Sequence, residues 1–283
     1  MSTWKAVQCA GCGGAVAAKP GTALPACLFC GADASQLVEF EPEGIEPAEG
    51  FLPFAIDAAE ARKAFVEFAS SSMWYPGDLR RAKVELRQLL LPAWAWSGTI
   101  ESHWTGTVRA NSASGKRPVG GSETLALNQV LVPASQSLRI AELSALGRYD
   151  ETAMRQLAEE EDPGAPYELS EVTRSVARQA AQQEMGRRHT AKLASDSSAG
   201  GMSVASVCEN LTGRPVLVPV WIGAYRYGDK VFRVLVNGQS GTFHGDAPIS
   251  WWRVAGAVLA GVLLVGAIVA AVSMCGGVAM LAR

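Results

Sequence analysis

The sequence predicts an α+β fold in three parts: an N-terminal zinc ribbon, a mixed body with two related antiparallel strand units plus helices, and a single C-terminal transmembrane helix. Three observations carry this prediction. Two Cys-x-x-Cys pairs lie near the N-terminus, two similar strand-forming segments occur in the middle of the chain, and a long apolar run lies near its C-terminus. With 283 residues, the chain is long enough for one large or two modest domains.

The ribbon is predicted from the spacing C-x2-C-x14-C-x2-C. Gly13 and Gly31 follow the two pairs and allow backbone amides to turn toward the sulfurs. Two such turns close a site of four thiolates, a geometry that zinc prefers, so we predict one structural zinc ion. A redox dithiol is the alternative, but it would need a single Cys-x-x-Cys at a helix start. The predicted metal ligands are Cys9, Cys12, Cys27 and Cys30.

Charge argues against nucleic acid as the main partner. Within residues 1–40 two lysines are balanced by one aspartate and one glutamate, and the whole chain has a net charge of −2. A phosphate-binding surface needs several clustered lysines and arginines. The basic stretch from Arg80 to Arg87 is more typical of a solvated helix face. A nucleic-acid-binding membrane protein therefore stays an alternative function.

The apolar run from Val254 to Val272 contains no polar side chain. Extended to Cys275, it is long enough as a helix to cross the hydrocarbon core of a bilayer. Trp251 and Trp252 precede it, where an aromatic belt would lie. The sequence therefore predicts a single-pass protein of the cell membrane with the lipid bilayer as a partner, and homo-oligomerisation through the span as a further option. Because the first residues lack a secretory signal, the N-terminal bulk is placed in the cytoplasm.

The predicted domain boundaries follow from these signals and from a Pro- and Gly-rich acidic stretch after the ribbon. They are 1–38 for the zinc ribbon, 39–50 for an acidic linker, 51–250 for the body, 251–276 for the transmembrane helix and 277–283 for a short tail. Within the body, segments of about 89–135 and 214–248 resemble each other. Each has an apolar pair, a proline (Pro92 or Pro219) and a tryptophan, which suggests one fold unit used twice.

Local patterns assign elements within the body. Asp57-x-x-Glu60 predicts a helix start with reciprocal caps, and Asp78 predicts a second helix carrying Leu79, Leu86 and Leu90. Further helices are expected over 137–146, 151–161 and 168–194. One strand is predicted to end at Pro133. A hairpin is predicted in which a strand over 231–236 is followed by a turn at Asn237-Gly238 and by a return strand that begins at 242–243.

No catalytic motif stands out, so we predict no enzymatic activity, no catalytic residues and no organic cofactor. The three histidines (His103, His189 and His244) lack the spacing of a metalloprotease motif. A second alternative function is a lipid-sensing or small-ligand-sensing module with tryptophans lining an apolar pocket, although core packing explains the same residues. Those tryptophans are Trp94, Trp96, Trp104 and Trp221.

The cysteine pairs, "LPF" at 52–54, "LPAWAW", "QVLVPASQSL" and the stretch from Pro219 to Trp252 resemble a bacterial family of TFIIB-type zinc-ribbon membrane proteins. Members are often labelled as like primosomal protein N prime or as superfamily II helicases. The resemblance covers nearly the whole chain. It implies a membrane-anchored adaptor or scaffold that recruits or organises a protein partner, with an SPFH (flotillin-like) protein as candidate. The helicase label finds no nucleotide-binding loop in these residues.

Overall fold

The protein is described here by a computed structural model that covers residues 5–18, 24–41, 46–109, 115–138, 140–158, 163–170, 172–197 and 199–280. Within these ranges eleven strands join one mixed sheet, and four α-helices accompany it. The main path of the sheet has the strand order β11-β10-β9-β5-β8-β2-β1-β3, with β6 beside β5 and with β4 between β7 and β9.

The element bounds are as follows. The strands are β1 (Lys5–Cys9), β2 (Ala15–Ala18), β3 (Leu37–Phe40), β4 (Gly50–Phe51), β5 (Glu85–Arg109), β6 (Lys116–Pro133), β7 (Arg155–Gln156), β8 (Tyr167–Glu168), β9 (Gly200–Tyr227), β10 (Lys230–Asn237) and β11 (Phe243–Gly245). The α-helices are α1 (Ala58–Ser70), α2 (Ile140–Ala145), α3 (Arg174–Ser197) and α4 (Trp251–Met280).

Two long antiparallel strands, β5 and β9, form the centre of the sheet. They pair from Glu85 opposite Ala224 as far as Thr107 opposite Gly200. Side chains alternate between the two faces. Ala93 packs into the core on the face of the metal-ligand cysteines, whereas Trp94 packs with the side chains of α3. The sheet thus has a core on each side.

The expectation of two related strand units is wrong. Leu90 lies directly opposite Pro219, and Pro92 lies opposite Leu217. The two similar segments are therefore neighbouring antiparallel strands of one sheet. Each carries the continuous apolar run of a strand that is buried on both faces, and pairing with the other satisfies its backbone hydrogen bonds.

The helix predicted after Asp78 is also wrong. Only a 3₁₀ turn forms there, Leu79–Arg81, and the chain then enters β5 at Glu85. Leu86 and Leu90 are four residues apart, a spacing that places side chains on one face of a strand as well as of a helix. Pairing with β9 decides in favour of the strand. Another predicted helix, 151–161, is reduced to a 3₁₀ turn at Glu151–Ala153 that is followed by β7.

Other local predictions are confirmed. Asp57 accepts a hydrogen bond from the Glu60 amide at 2.8 Å, and the Glu60 carboxylate accepts one from the Asp57 amide at 3.1 Å, so the capping box of α1 is complete. The long helix 168–194 corresponds to α3. The predicted hairpin is formed by β10 and β11, with Val236 opposite Phe243. The strand β6 ends at Pro133 as predicted.

The predicted transmembrane helix 251–276 requires a correction. In the part of the chain that the structure describes, no helix has the length and apolar character needed to cross a membrane. A span takes about 20 consecutive apolar residues, and the described side chains of α4 extend only from Trp251 to Gly266. The C-terminal transmembrane helix, and with it the single-pass placement in the cell membrane, is therefore not supported.

Candidate metal centre

The structure brings the four predicted ligand residues together. The sulfur atoms of Cys9, Cys12, Cys27 and Cys30 all lie within 4.8 Å of one another. The Sγ atoms of Cys9 and Cys30 are 3.8 Å apart, and those of Cys12 and Cys27 are 3.6 Å apart. A tetrahedral ion with metal–sulfur bonds of about 2.3 Å would place its sulfurs about 3.8 Å apart. The four thiols therefore fit a tetrahedral metal site.

Two matching turns shape this site. Gly13 and Gly31 both have positive φ values, 77° and 74°. The Gly13 amide donates to the Cys9 carbonyl at 2.8 Å, and the Gly31 amide donates to the Cys27 carbonyl at 3.1 Å. Because residues with a Cβ rarely adopt this left-handed conformation, glycine after each Cys-x-x-Cys is what allows the chain to fold back.

Backbone amides also point at the sulfurs. The Phe29 amide donates to the Cys27 Sγ at 3.4 Å. Burial raises the pKa of the Cys9 thiol, but hydrogen bonds from the amides of Cys12 and Gly11, together with those from neighbouring sulfurs, outweigh it and leave that pKa at about 7. Burial raises the pKa values of Cys12 and Cys27. Since the thiolate is the form that binds metals, the amides prepare Cys9 for a cation, and a bound metal would displace the protons of Cys12 and Cys27.

The site has one side toward the body and one side toward solvent. Cys9 and Cys27 are buried, whereas Cys12 and Cys30 are exposed. The two buried cysteines belong to the same core cluster as Leu91 of β5 and Val216 of β9. The metal centre therefore belongs to the same apolar core as the central strands.

A short strand joins the ribbon to the body. Val16 of β2 pairs with Glu168 of β8, and Leu90 of β5 pairs with Tyr167 of β8. The Leu169 amide extends this contact by donating to the Ala15 carbonyl at 3.0 Å. The ribbon is thus hydrogen-bonded into the large sheet and is more than an appendage on a linker.

Glu168 lies at this junction as a buried carboxylate. Its Oε1 accepts hydrogen bonds from the backbone amides of Gln136 at 3.1 Å and Ser137 at 3.0 Å. Burial raises the pKa of Glu168 in spite of these bonds. One side chain therefore fixes the 136–137 segment against the strand that receives the ribbon.

A second polar cluster, under α3, was not predicted from the sequence. His189 Nδ1 lies 2.8 Å from Ser102 Oγ, and Ser102 Oγ lies 2.7 Å from Ser206 Oγ. The Glu123 carboxylate is 3.7 Å from His189 Nε2 and is paired with Lys192 at 2.7 Å. No sequence spacing reveals this cluster, because its members come from β5, β6, α3 and β9.

The cluster contains the residue types of a hydrolytic triad, but its serine and histidine are not accessible to a substrate. The side chains of Ser102 and His189 are both completely buried. A nucleophile must reach its substrate, and the base must lie within hydrogen-bonding distance of the group that orients it. His189 Nε2 lies 3.7 Å from the Glu123 carboxylate, which is too far for the hydrogen bond that would orient the base. We therefore interpret the cluster as the polar contact that fixes α3 on the sheet.

The four tryptophans singled out from the sequence do not share one pocket wall. Trp94 and Trp96 stack at 6.0 Å in the core beneath α3. Trp221 lies in a different cluster, where its ring packs edge-on against Phe54. Trp104 is partly exposed farther along β5. Core packing accounts for Trp94, Trp96 and Trp221.

No family model, curated protein or solved structure matches this chain. The resemblance to TFIIB-type zinc-ribbon proteins therefore rests on the motifs alone.

Proposed function

We propose that this protein is a zinc-ribbon adaptor that binds a partner protein and has no catalytic activity. A site of four thiolates leaves no coordination position open for a substrate, which favours a structural metal. Tetrahedral sulfur ligation suits zinc or iron, and zinc is the ion that takes this role without redox chemistry.

An exposed apolar surface carries the proposal. We call it the Trp252 surface, and it combines the loop before β5 with the start of α4. Trp252 is 89% exposed and Met73 is 69% exposed. Exposed aromatic and methionine side chains in one place are typical of protein-binding surfaces. The members of the Trp252 surface are Met73, Trp74, Ile249, Trp251 and Trp252.

Hydrogen bonds hold the two halves of the Trp252 surface together. The Ser250 amide donates to the Trp74 carbonyl at 2.8 Å. The Arg253 guanidinium donates to the Met73 carbonyl at 2.9 Å. Because these contacts fix the surface before a partner arrives, less conformational entropy is lost on binding.

The helix that follows indicates the kind of partner. Leu259 and Leu263 of α4 are each about 60% exposed, and their aliphatic neighbours are similar. A helix that presents apolar side chains is recognised by a protein with an apolar groove. We propose such a groove-bearing protein as the partner. The family resemblance makes an SPFH-type scaffold protein the first candidate to test.

The test is a binding titration of a purified SPFH-type protein against the full-length chain. We expect Trp252→Ser to weaken binding by about tenfold or more, the effect of removing an aromatic anchor from an interface. Val231→Ser is the matched control, because Val231 is also an exposed apolar residue but lies on β10. Equal affinity of the wild type and Trp252→Ser would overturn the proposed surface, and no binding to the wild type would exclude this class of partner.

A further inference from the structure

A cavity of about 80 Å³ lies between α2, the turn after it and the central strands. This volume is several times what one water molecule needs, about 10–15 Å³. Its walls are mostly aliphatic and come from β5, β6, β9 and the α2 region. The aliphatic side chains are Leu91, Ala93, Leu131, Leu143, Leu146 and Val218.

Two opposite charges stand at the rim of this cavity. Glu151 and Arg188 both line it, and their side chains are 23% and 22% exposed. Their nearest atoms are 3.7 Å apart, longer than the roughly 2.7–2.9 Å of a direct charged hydrogen bond. Arg188 Nε is bound to Glu184 at 2.9 Å. Since a guanidinium has five N–H donors, Arg188 retains donors for a further anion.

Glu151 is held in place, and the effect of burial on its carboxylate exceeds that of the positive charges near it. Burial raises the pKa of Glu151, although the guanidinium groups of Arg188 and Arg148 and the Leu131 amide, which donates to the carboxylate, lower it. A cation beside Glu151 would therefore be stabilised by a carboxylate that solvent shields only in part. The rim thus offers one site for an anionic group and one for a cationic group next to each other.

We propose that this cavity binds a small aliphatic α-amino acid, such as valine or leucine, as its zwitterion. The carboxylate contacts Arg188, the ammonium contacts Glu151, and the branched side chain enters the cavity. An α-amino acid carries both charges on one carbon, so it matches two rim charges that are adjacent. A fatty acid would bring a carboxylate toward Glu151 without a cation, and an alkylamine would leave the Arg188 donors that Glu184 does not use without an anion. This ligand site goes beyond the adaptor function and does not depend on it.

Calorimetric titration of the full-length, metal-loaded protein with L-leucine tests the proposal. We expect saturable binding at one site. Relative to leucine, 4-methylpentanoate lacks only the ammonium, isopentylamine lacks only the carboxylate, and glycine lacks the side chain. Each should bind at least about tenfold more weakly than leucine, because each loses one charged contact or the apolar burial. No saturable binding of leucine at millimolar concentration would overturn the proposal, as would equal binding of 4-methylpentanoate or isopentylamine.

Two neighbouring arginines provide the matched variants. Arg188→Ala should abolish leucine binding, whereas Arg187→Ala should retain it, because Arg187 pairs with the same Glu184 but is not part of the cavity wall. Leu143→Trp should also abolish binding by filling the cavity. If Leu143→Trp fails to fold, the comparison of Arg187→Ala with Arg188→Ala still tests the proposal. Equal binding by Arg187→Ala and Arg188→Ala would place leucine elsewhere and overturn the assignment.

Discussion

Val16 of the ribbon pairs in register with Glu168 of the body, and Glu168 in turn binds the backbone amides of Gln136 and Ser137. The pairing of β2 with β8, which also sets Ala17 opposite Tyr167, makes the metal-binding segment part of the eleven-stranded sheet. Cys9 and Cys27 are buried in the same core cluster as Leu91. The stability of the ribbon and that of the sheet edge beneath it are therefore expected to depend on each other.

The first prediction concerns the metal ligands. Cys9→Ser removes a buried thiolate, so the variant should retain almost no zinc, while the wild type should hold one ion per chain. Because metal binding supplies folding free energy, unfolding should become easier by ~4 kcal/mol or more. Metal content by mass spectrometry and chemical denaturation check both effects.

The control for that variant is Cys208→Ser, which changes a cysteine of β9 outside the metal centre. It should keep its zinc. If both variants lose the metal equally, or if Cys9→Ser keeps it, the assignment of the ligands is wrong.

The second prediction concerns the approach of the ribbon to the body. A Cβ at residue 14 would lie 2.5 Å from the Phe29 ring and 3.0 Å from Ser137 Oγ, so Gly14→Ala should destabilise the protein by about 1–3 kcal/mol. At Gly11 the nearest atom would be 3.7 Å away, an ordinary contact, and Gly11→Ala should stay within about 0.5 kcal/mol of the wild type. Denaturant unfolding measures both, and an unaffected Gly14→Ala would contradict the packing described.

The third prediction concerns the buried carboxylate of Glu168. Burial raises its pKa, so the folded state favours the protonated form. The contribution of Glu168 to stability is therefore fully present below its unfolded pKa of about 4.3 and is lost as the pH rises through its raised folded pKa. The unfolding free energy of the wild type minus that of Glu168→Gln should fall with rising pH over this window.

The measurement is denaturant unfolding of both proteins at a series of values from about pH 4 to pH 8. The subtraction removes the contribution of the other carboxylates. Lys192 lowers the pKa of Glu123, and Arg187 lowers the pKa of Glu184, so these two carboxylates make the unfolding free energy rise with pH. A difference that stays constant, or that rises with pH, would show that Glu168 does not titrate in the way its burial implies.

The fourth prediction concerns the buried contact beneath α3. His189→Ala should destabilise the protein by about 2–4 kcal/mol, because it leaves a cavity and removes the partner of the buried Ser102 hydroxyl. His103→Ala is the control, since the His103 side chain is 69% exposed. Thermal unfolding distinguishes the two, and equal stability of both variants would mean that the cluster does not hold α3.

The parts of the site that could be predicted from the sequence are local. The cysteine spacing and the glycines after each pair specify the two turns, and Asp57 and Glu60 specify the start of α1 within four residues. In these cases the interacting groups are close in the chain, so the pattern itself contains the geometry.

The parts that were missed depend on contacts between distant segments. The four-residue spacing of Leu86 and Leu90 fits a helix and a strand equally, and only pairing with β9 decides between them. The two-residue strand β8 has no sequence signal of its own, yet it joins the ribbon to the sheet. His189 meets Ser102 across 87 positions in the chain. No local pattern can reveal such partners.

The central claim is that the metal-bound ribbon is a structural part of the sheet, and amide hydrogen exchange before and after metal removal tests it most directly. We predict that chelation removes protection from the ribbon strands and also from β8 and the 136–137 segment, because Glu168 links them. Exchange that increases only within residues 5–41, with β8 still protected, would contradict the claim and make the ribbon an independent module.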